Sequence, residues 1–441
     1  MMANYAARRA ALMALMLPGS VAIIATAPEV PRNSDCDYPY RHDSYFYYLS
    51  GFTEPHSALA LVAASATAPA RAILFCRAKN TEREIWDGFR HGPEAARVTF
   101  GFDAAFPIEE LDVEMARLLA DAPALYYALG GSLDTQVKLW LQQVRQKARS
   151  GITAPASAHD IGGMLDAMRL FKDSEEQALM RRAADISSAA HARAMRATRP
   201  GLHEYAIEAE LLYEFRRNGA QFPAYSSIVA GGANACILHY SANNAVLNDG
   251  DLLLIDAGCE LDGYASDITR TYPVNGRFSG PQKALYELVL AAQQAAFDVI
   301  RPGSAQSAIH EAAVQVLAQG MLDLHLLDRQ QHGSVQDVIA DKSYLPFYMH
   351  GTSHWLGMDV HDVGAYRNTS AAGKPWRALE AGMVLTVEPG IYVRPGPGVP
   401  EQFWHTGIRI EDDVLVTPQG HEIFSTAPKS IAEIEQLMSQ D

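Results

Sequence analysis

The first third of the chain alternates short apolar runs with amphipathic stretches, a pattern that predicts a mixed α/β region. Residues 4–17 carry apolar side chains at helical spacing, Pro18-Gly19 breaks the run, and Val21–Ala25 reads as a buried strand. Strand-like runs at 57–63, 71–76 and 124–128 are interleaved with helical patterns at 108–120 and 133–148. Residues 150–163, rich in Ser, Ala and Gly, read as a connection. Asp173-Ser174-Glu175-Glu176 then predicts the capped start of a helix reaching about Arg196. Short polar side chains satisfy free N–H groups there, and the acids favour the positive end of the helix dipole. Arg199-Pro200-Gly201 ends that helix, and a second follows over about 203–218. Apolar β-runs then dominate at 252–257, 265–273, 383–393 and 406–417, with helices near 281–301 and 305–319 between them. The expectation is a smaller α/β domain over 1–170 and an α+β domain over 171–441, with helices packed on an antiparallel sheet.

Charge narrows the function classes. The chain has 36 Lys+Arg against 51 Asp+Glu, a formal net charge of −15. That balance argues against nucleic acid as a partner, because non-specific affinity comes from neutralising phosphates with cations. Arg8 and Arg9 before the apolar run 10–17 superficially resemble a secretory leader. The break at Pro18-Gly19 favours a helix and a buried strand instead, and no stretch approaches the ~20 apolar residues that span a bilayer. The four cysteines, Cys36, Cys76, Cys236 and Cys259, form no C-x-x-C pair. A soluble protein of the reducing cytoplasm is expected, with no membrane contact.

The chemistry concentrates in the second half. Leu252-Leu-Leu-Ile-Asp256 is an apolar strand that ends on an acid, and Gly263-Tyr-Ala-Ser-Asp267 follows a turn containing Asp262-Gly263. A turn centred between Leu261 and Asp262 sets Asp256 directly opposite Asp267, and a slip of two residues leaves them diagonal. The same arrangement recurs with Glu388 in Val-Glu388-Pro-Gly and Glu411 in Arg409-Ile-Glu411. A pairing about residues 399 and 400 sets these two opposite one another. Singly, each acid has a structural explanation: Asp256 as a strand-ending cap, Asp267 paired with Arg270, Glu411 paired with Arg409. Together they are costly to bury without a shared proton or a cation. Two such hairpins suggest related halves facing each other across one site.

Three of the fifteen histidines, His350, His354 and His361, fall within twelve residues, and His239 is a fourth candidate. His350 has no Glu after it and glycines interrupt the segment, so this is not a zinc-protease helix of the H-E-x-x-H type. One histidine added to four carboxylates makes an oxygen-rich ligand set, suited to Mn²⁺ or to Co²⁺ or Zn²⁺ as substitutes. Four carboxylates balance two divalent ions in charge, and a hydroxide bridging them would be the nucleophile of a metal-assisted hydrolysis.

These residues carry a resemblance. Ile-Asp256-Ala-Gly…Ser-Asp267-Ile-Thr-Arg-Thr, His350-Gly-Thr-Ser-His354-Trp-Leu-Gly, Thr-Val-Glu388-Pro-Gly and Gly-Ile-Arg-Ile-Glu411-Asp resemble the ligand set of the creatinase/prolidase-type metallopeptidases. Within that family the likeness is greatest to the Xaa-Pro aminopeptidases. It extends into the first domain through Asp37-Tyr-Pro-Tyr-Arg41, Phe46-Tyr-Tyr-Leu-Ser-Gly-Phe52 and Glu84-Ile-Trp86. The resemblance implies a pita-bread α+β domain preceded by a smaller α/β domain. It implies that Asp256 holds one Mn²⁺, that His354 and Glu388 hold a second, and that Asp267 and Glu411 bridge both. Glu388 would also carry a proton to the departing proline nitrogen. His361 and His239 would hold the scissile carbonyl, His350 would line the proline pocket beside Arg409, and Tyr225 and Trp86 would contact substrate, the latter against a packed-core alternative. The implied substrate is a peptide with proline in second position, and the implied assembly a homodimer or homotetramer. One departure stands out: an arginine expected in the interdomain connection is missing from 151–168. The rival readings are an Xaa-Pro dipeptidase (prolidase), metal-free amidine hydrolysis of the creatinase kind, and a metal-free binding protein on the same fold. Those binding relatives have lost ligands, whereas all five positions are filled here.

Overall fold

A computed structural model describes residues 4–439 and divides the chain into two compact units, Met1–Met168 and Arg169–Asp441. In the first unit, β1 (Val21–Ala25), β2 (Ala58–Val62), β3 (Arg71–Cys76), β4 (Ala104–Pro107), β5 (Ala124–Tyr127) and β6 (Ser157–Asp160) form one mixed sheet. Its order is β4-β3-β2-β1-β5-β6. Ile23, Ile73, Phe75, Met115 and Trp140 make the core between this sheet and its helices. The Trp140 indole N–H donates to Asp112 at 2.7 Å, which satisfies the one polar atom that ring buries.

One reading of this unit changes, and another, the helix and buried strand around Pro18-Gly19, gains detail. The stretch 150–163 is more than a connection, because β6 pairs in parallel with β5 across Ala124↔Ser157 and Tyr127↔Asp160. Its side chains are largely exposed, so no apolar alternation announces it. Arg8 and Arg9 sit buried on the helix Tyr5–Leu15. Arg9 donates to the carbonyls of Leu49 and Gly101 at 3.0 and 2.7 Å, and Arg8 lies 4.3 Å from the centre of the Tyr48 ring. The basic pair has a packing role, each guanidinium covering the end of a neighbouring helix or a ring face.

In the second unit, Asp173 caps the helix Ser174–Ala197 through a capping box with Glu176. That helix, with Glu204–Arg217, Gly280–Asp298 and Ser307–Asp323, covers a core built on strands. β7 (Phe222–Pro223), β8 (Ile228–Gly231), β9 (Leu252–Asp256), β10 (Cys259–Leu261), β11 (Tyr264–Ala265) and β12 (Thr269–Pro273) form two antiparallel sheets, β12-β9-β8 and β11-β10-β7. β13 (Val384–Val387), β14 (Gly390–Val393), β15 (Thr406–Arg409), β16 (Asp412–Thr417) and β17 (Gly420–Ile423) form β13-β16-β17 and β14-β15.

The two acid hairpins answer the sequence differently. The later one has the expected register: Val387 faces Asp412 and Gly390 faces Arg409, which brings 388 opposite 411. The earlier one is shifted. Asp262 and Gly263 both have positive φ, 47° and 79°, and are the two central residues of the turn. This mirror-image turn matches the twist of the strands it joins. The centre therefore lies one residue later than expected, and Thr269 rather than Asp267 stands opposite Asp256. A shift of two in register keeps Asp267 diagonal to Asp256 and on the same face.

Each long β-run also breaks at its acid. β9 ends at Asp256, β11 and β12 are separated around Asp267, β13 and β14 around Glu388, and β15 and β16 around Glu411. At two of these breaks the backbone turns to another partner. The Glu388 N–H goes to the Thr352 carbonyl at 2.8 Å and the Glu411 N–H to the Thr269 carbonyl at 3.0 Å. The second contact, a bridge between Thr269 and Glu411, joins the two hairpins. Among the described residues no helix is long and apolar enough to cross a membrane.

Candidate active site

Both hairpins and the segment 350–361 meet at a cavity of ≈740 Å³. Asp256, Asp267, Glu388 and Glu411 line it, together with His239, His350, His354, His361, Tyr225 and Arg409. Every residue predicted from the second half is thus brought together. Trp86 belongs to the first unit, on the helix Thr81–Asp87, and is 83 % exposed. The packed-core alternative for that residue is excluded.

Ligand-competent atoms of Asp267, His354 and Glu411 all lie within 4.8 Å of one another. His354 Nδ1 donates to the Trp355 carbonyl at 2.9 Å, which turns Nε2 toward the acids. From Nε2 the nearest oxygens of Asp267, Glu388 and Glu411 are 3.4, 3.8 and 4.0 Å away. The Tyr225 hydroxyl lies 2.6 Å from Asp256 Oδ1 and 2.5 Å from Asp267 Oδ1. One phenolic proton cannot serve two carboxylates at once, so these acids need either an extra proton or a cation between them.

The electrostatics say the same. Burial, with the charges of Asp267, Glu388 and Asp256, pushes the Glu411 carboxyl well above its usual range. Burial also raises Asp267, and it raises Glu388 to about 7 with help from Asp267 and Asp256. His354 is raised to about 9: burial opposes its charge, and the Asp267 and Glu388 carboxylates outweigh burial. Among the described residues the only guanidinium lining the cavity is Arg409, which pairs with Asp256 at 2.7 Å. Four carboxylates crowd against one guanidinium and one imidazole. Such a set fits divalent cations, whose charge would replace the shared protons.

Neither structural pairing weighed for these acids occurs. Arg409 meets Asp256 rather than Glu411, and Arg270 meets Asp412 at 2.6 Å rather than Asp267. Glu411 accepts instead from the Thr269 hydroxyl at 2.7 Å, and that hydroxyl accepts from Arg409 Nε at 3.2 Å.

His350 and His361 are held toward the neutral form. His350 Nδ1 donates to the Gly351 carbonyl at 2.7 Å, and its Nε2 takes the Tyr392 hydroxyl at 2.8 Å. Tyr392 in turn accepts from Arg409 at 2.9 Å. Burial and the Arg409 charge push His350 down to about 3. His361 packs its ring 4.1 Å from that of His354, and burial, then the His354 and His239 charges, lower it.

Three contributors escaped the sequence reading. Tyr392 and Thr269 lie at even offsets from Glu388 and Asp267, so strand periodicity was a signal for both. Asp413 shares the same even offset, two residues beyond Glu411. Its buried carboxylate accepts the Asp267 backbone N–H at 3.1 and 3.2 Å, behind the ligand rather than beside it. The arginine missing from 151–168 has a neighbour in Arg169, which is buried and pairs with Asp359 and Asp362 on either side of His361.

Comparison with known proteins agrees with this geometry. Residues 178–418 match the model of metallopeptidase family M24, and residues 5–126 match that of the aminopeptidase P N-terminal domain. The chain is 44 % identical over 434 residues to the Xaa-Pro aminopeptidase of Escherichia coli K12, covering 98 % of this chain and 96 % of that protein. Among solved structures, Pseudomonas aeruginosa aminopeptidase PepP superposes with a TM-score of 0.94 at 51 % identity, covering 99 % of this chain and 97 % of that one. A zinc-substituted E. coli aminopeptidase P in complex with product gives the same TM-score at 44 % identity, with the same coverage of both chains.

Proposed function

The chain belongs to metallopeptidase family M24, and from that membership we propose that it releases the first residue from peptides with proline in second position. The observation that carries this reading is the convergence of four carboxylates and one histidine on a single cavity. The chain bearing them is similar over nearly its whole length to Xaa-Pro aminopeptidases. We assign catalysis to the domain expected over 171–441, which lies within the second unit. Asp256, Asp267, His354, Glu388 and Glu411 would hold two divalent ions, with Mn²⁺ preferred for an oxygen-rich set and Co²⁺ or Zn²⁺ as substitutes. Bound there, such ions supply an acidified water and polarise a carbonyl.

The rest of the work falls to the chain itself. Glu388 sits between His354 and His350, placed to accept a proton and return it to the departing proline nitrogen. His239 and His361 supply donors to the carbonyl oxygen as negative charge develops on it. His350, braced by Tyr392 and Arg409, sets the wall against the proline ring. Tyr225 orients substrate beside Asp256 and Asp267. Trp86, exposed on the first unit, is a further substrate contact. A homodimer or homotetramer in the cytoplasm completes the proposal, and four unpaired cysteines suit a reducing compartment.

One assay tests it. Xaa-Pro-Xaa tripeptide and Xaa-Pro dipeptide are offered to Mn²⁺-reconstituted protein, with metal content measured on the same sample. Cleavage of the tripeptide with about two ions per chain is expected. Activity confined to the dipeptide would turn the assignment into a prolidase, and no metal with no cleavage would leave a binding protein.

A further inference from the structure

Glu204 is a fully buried acid that stands apart from the four at the site. It is the first residue of the helix Glu204–Arg217, where the helix dipole favours negative charge. Four donors converge on its carboxylate. Oε1 accepts the Gly231 N–H at 2.8 Å and the Asn234 amide at 3.0 Å, and Oε2 accepts the Tyr240 hydroxyl at 2.7 Å and the Ala245 N–H at 2.9 Å. An ionised carboxylate offers about four lone-pair sites, and these donors fill them. The Asn234 amide also donates to the Tyr240 oxygen at 3.1 Å, which ties two of the donors to each other.

All four donors belong to the one loop that leaves β8. They lie on both sides of His239, an exposed residue that lines the active-site cavity. Gly232–Cys236 forms a single 3₁₀ turn and 237–245 is irregular backbone. Regular backbone pairing therefore does not set the place of His239, and side chains must. The Tyr240 ring packs in a small apolar cluster with Ile228, Ala235 and Leu254, while its hydroxyl is held by Glu204. The residue next to His239 is thus fixed at both ends.

We propose that Glu204 is a positioning residue for the reaction, holding the loop 231–245 so that His239 stays in reach of the scissile carbonyl oxygen. The inference rests on the donor role given to His239 above. A donor to a developing oxyanion acts only if its place is set before the charge appears. A misplacement of about 1 Å costs on the order of 10²-fold in rate. Glutamine tests the grip with little change of shape, because it replaces one oxygen by an NH₂ group. In either orientation that group meets a backbone N–H, of Gly231 or of Ala245, which has no lone pair to offer it.

The test is a double-mutant cycle on the Mn²⁺-reconstituted full chain, with Ala-Pro-Ala as substrate. Glu204→Gln should lower kcat by about 10-fold with KM changed by less than about 2-fold, since His239 acts on charge present only in the transition state. In a His239→Ala background the same substitution should cost less than about 2-fold. Hydrogen exchange at the Gly231 and Ala245 amides should quicken in Glu204→Gln, in metal-free protein as well. Where Glu204→Gln does not fold, Tyr240→Phe takes its place in the cycle. It keeps the ring and removes one of the four donors, with a loss of about 3-fold expected in the parent and none beside His239→Ala. An equal loss of kcat in both backgrounds, no loss in either, or unchanged exchange at both amides overturns the positioning role alone. Failure of the parent protein to cleave Ala-Pro-Ala, or full kcat in His239→Ala, overturns the function beneath it and this inference with it.

Discussion

Glu411 and Asp412 are neighbours in the chain, equally buried, and opposite in character. Asp412 receives Arg270 at 2.6 Å, Lys429 at 2.6 Å and the Gln293 amide at 3.1 Å. These cations, chiefly Arg270, overcome the burial that would raise its pKa and hold it below the usual carboxylate range. Arg270, fully buried, also donates to the backbone carbonyls of Thr269, Glu411 and Ala427. Glu411 meets the Thr269 hydroxyl at 2.7 Å, with the His354 imidazole no nearer than 4.0 Å, and is pushed well above its range. A buried acid supplied with its own cations holds the fold together. One left facing other acids is built for a charge that arrives from outside.

The strongest way to break this comparison is to remove the acids on the open side. Asp267→Ala or Glu411→Ala should lose turnover on the order of 10³-fold or more while the melting temperature of the protein changes little. Substantial kcat in either would mean these acids are not shared by the ions. The opposite outcome is expected behind the site. Arg270→Ala strands Asp412 and should cost about 3–5 kcal/mol in urea unfolding; a loss below 1 kcal/mol would show that Lys429 alone compensates.

His191 extends the contrast to a cation. It is fully buried on the helix Ser174–Ala197, donates to the Ala257 carbonyl at 3.0 Å, and burial pushes it down to about 4. The unfolded chain takes up a proton near pH 6.5 that the folded chain refuses. Stability should therefore fall as pH drops from about 6.5 and level off near 4, with His191 contributing on the order of 3 kcal/mol. Chemical denaturation of parent protein and His191→Gln across that window measures it, and identical slopes would remove His191 from the account. The smallest effect concerns metal removal. In chelator, Glu411→Gln should be more stable than the parent by about 1 kcal/mol, because one of four crowded acids is gone. With Mn²⁺ restored the order should reverse, and an unchanged order in calorimetry would argue against Glu411 as a ligand.

Much of this was readable along the chain because the signals are local. The later hairpin has its expected register because its apolar alternation is regular on both sides of the loop. The earlier one moved by one residue at the turn because Asp262 and Gly263 both accept positive φ, and the dipeptide alone does not say which pair of positions it occupies. β6 was hidden because a strand held by backbone pairing and facing solvent needs no apolar pattern. The role of Asp413 was hidden because its contact with Asp267 spans 146 positions of sequence.

The sequence by itself determined the inventory: an apolar framework, four acids set along its β-runs, histidines close by, and the odd separation that lets the acids of each hairpin share one face. Tertiary structure decided which acids are satisfied. Arg270 lies just after Asp267 and Arg409 just before Glu411 in the chain, and nothing in that placement says which will meet Asp412 and which Asp256. That choice depends on where separate strands come to lie, since charges interact through space and across low-dielectric protein rather than along the chain.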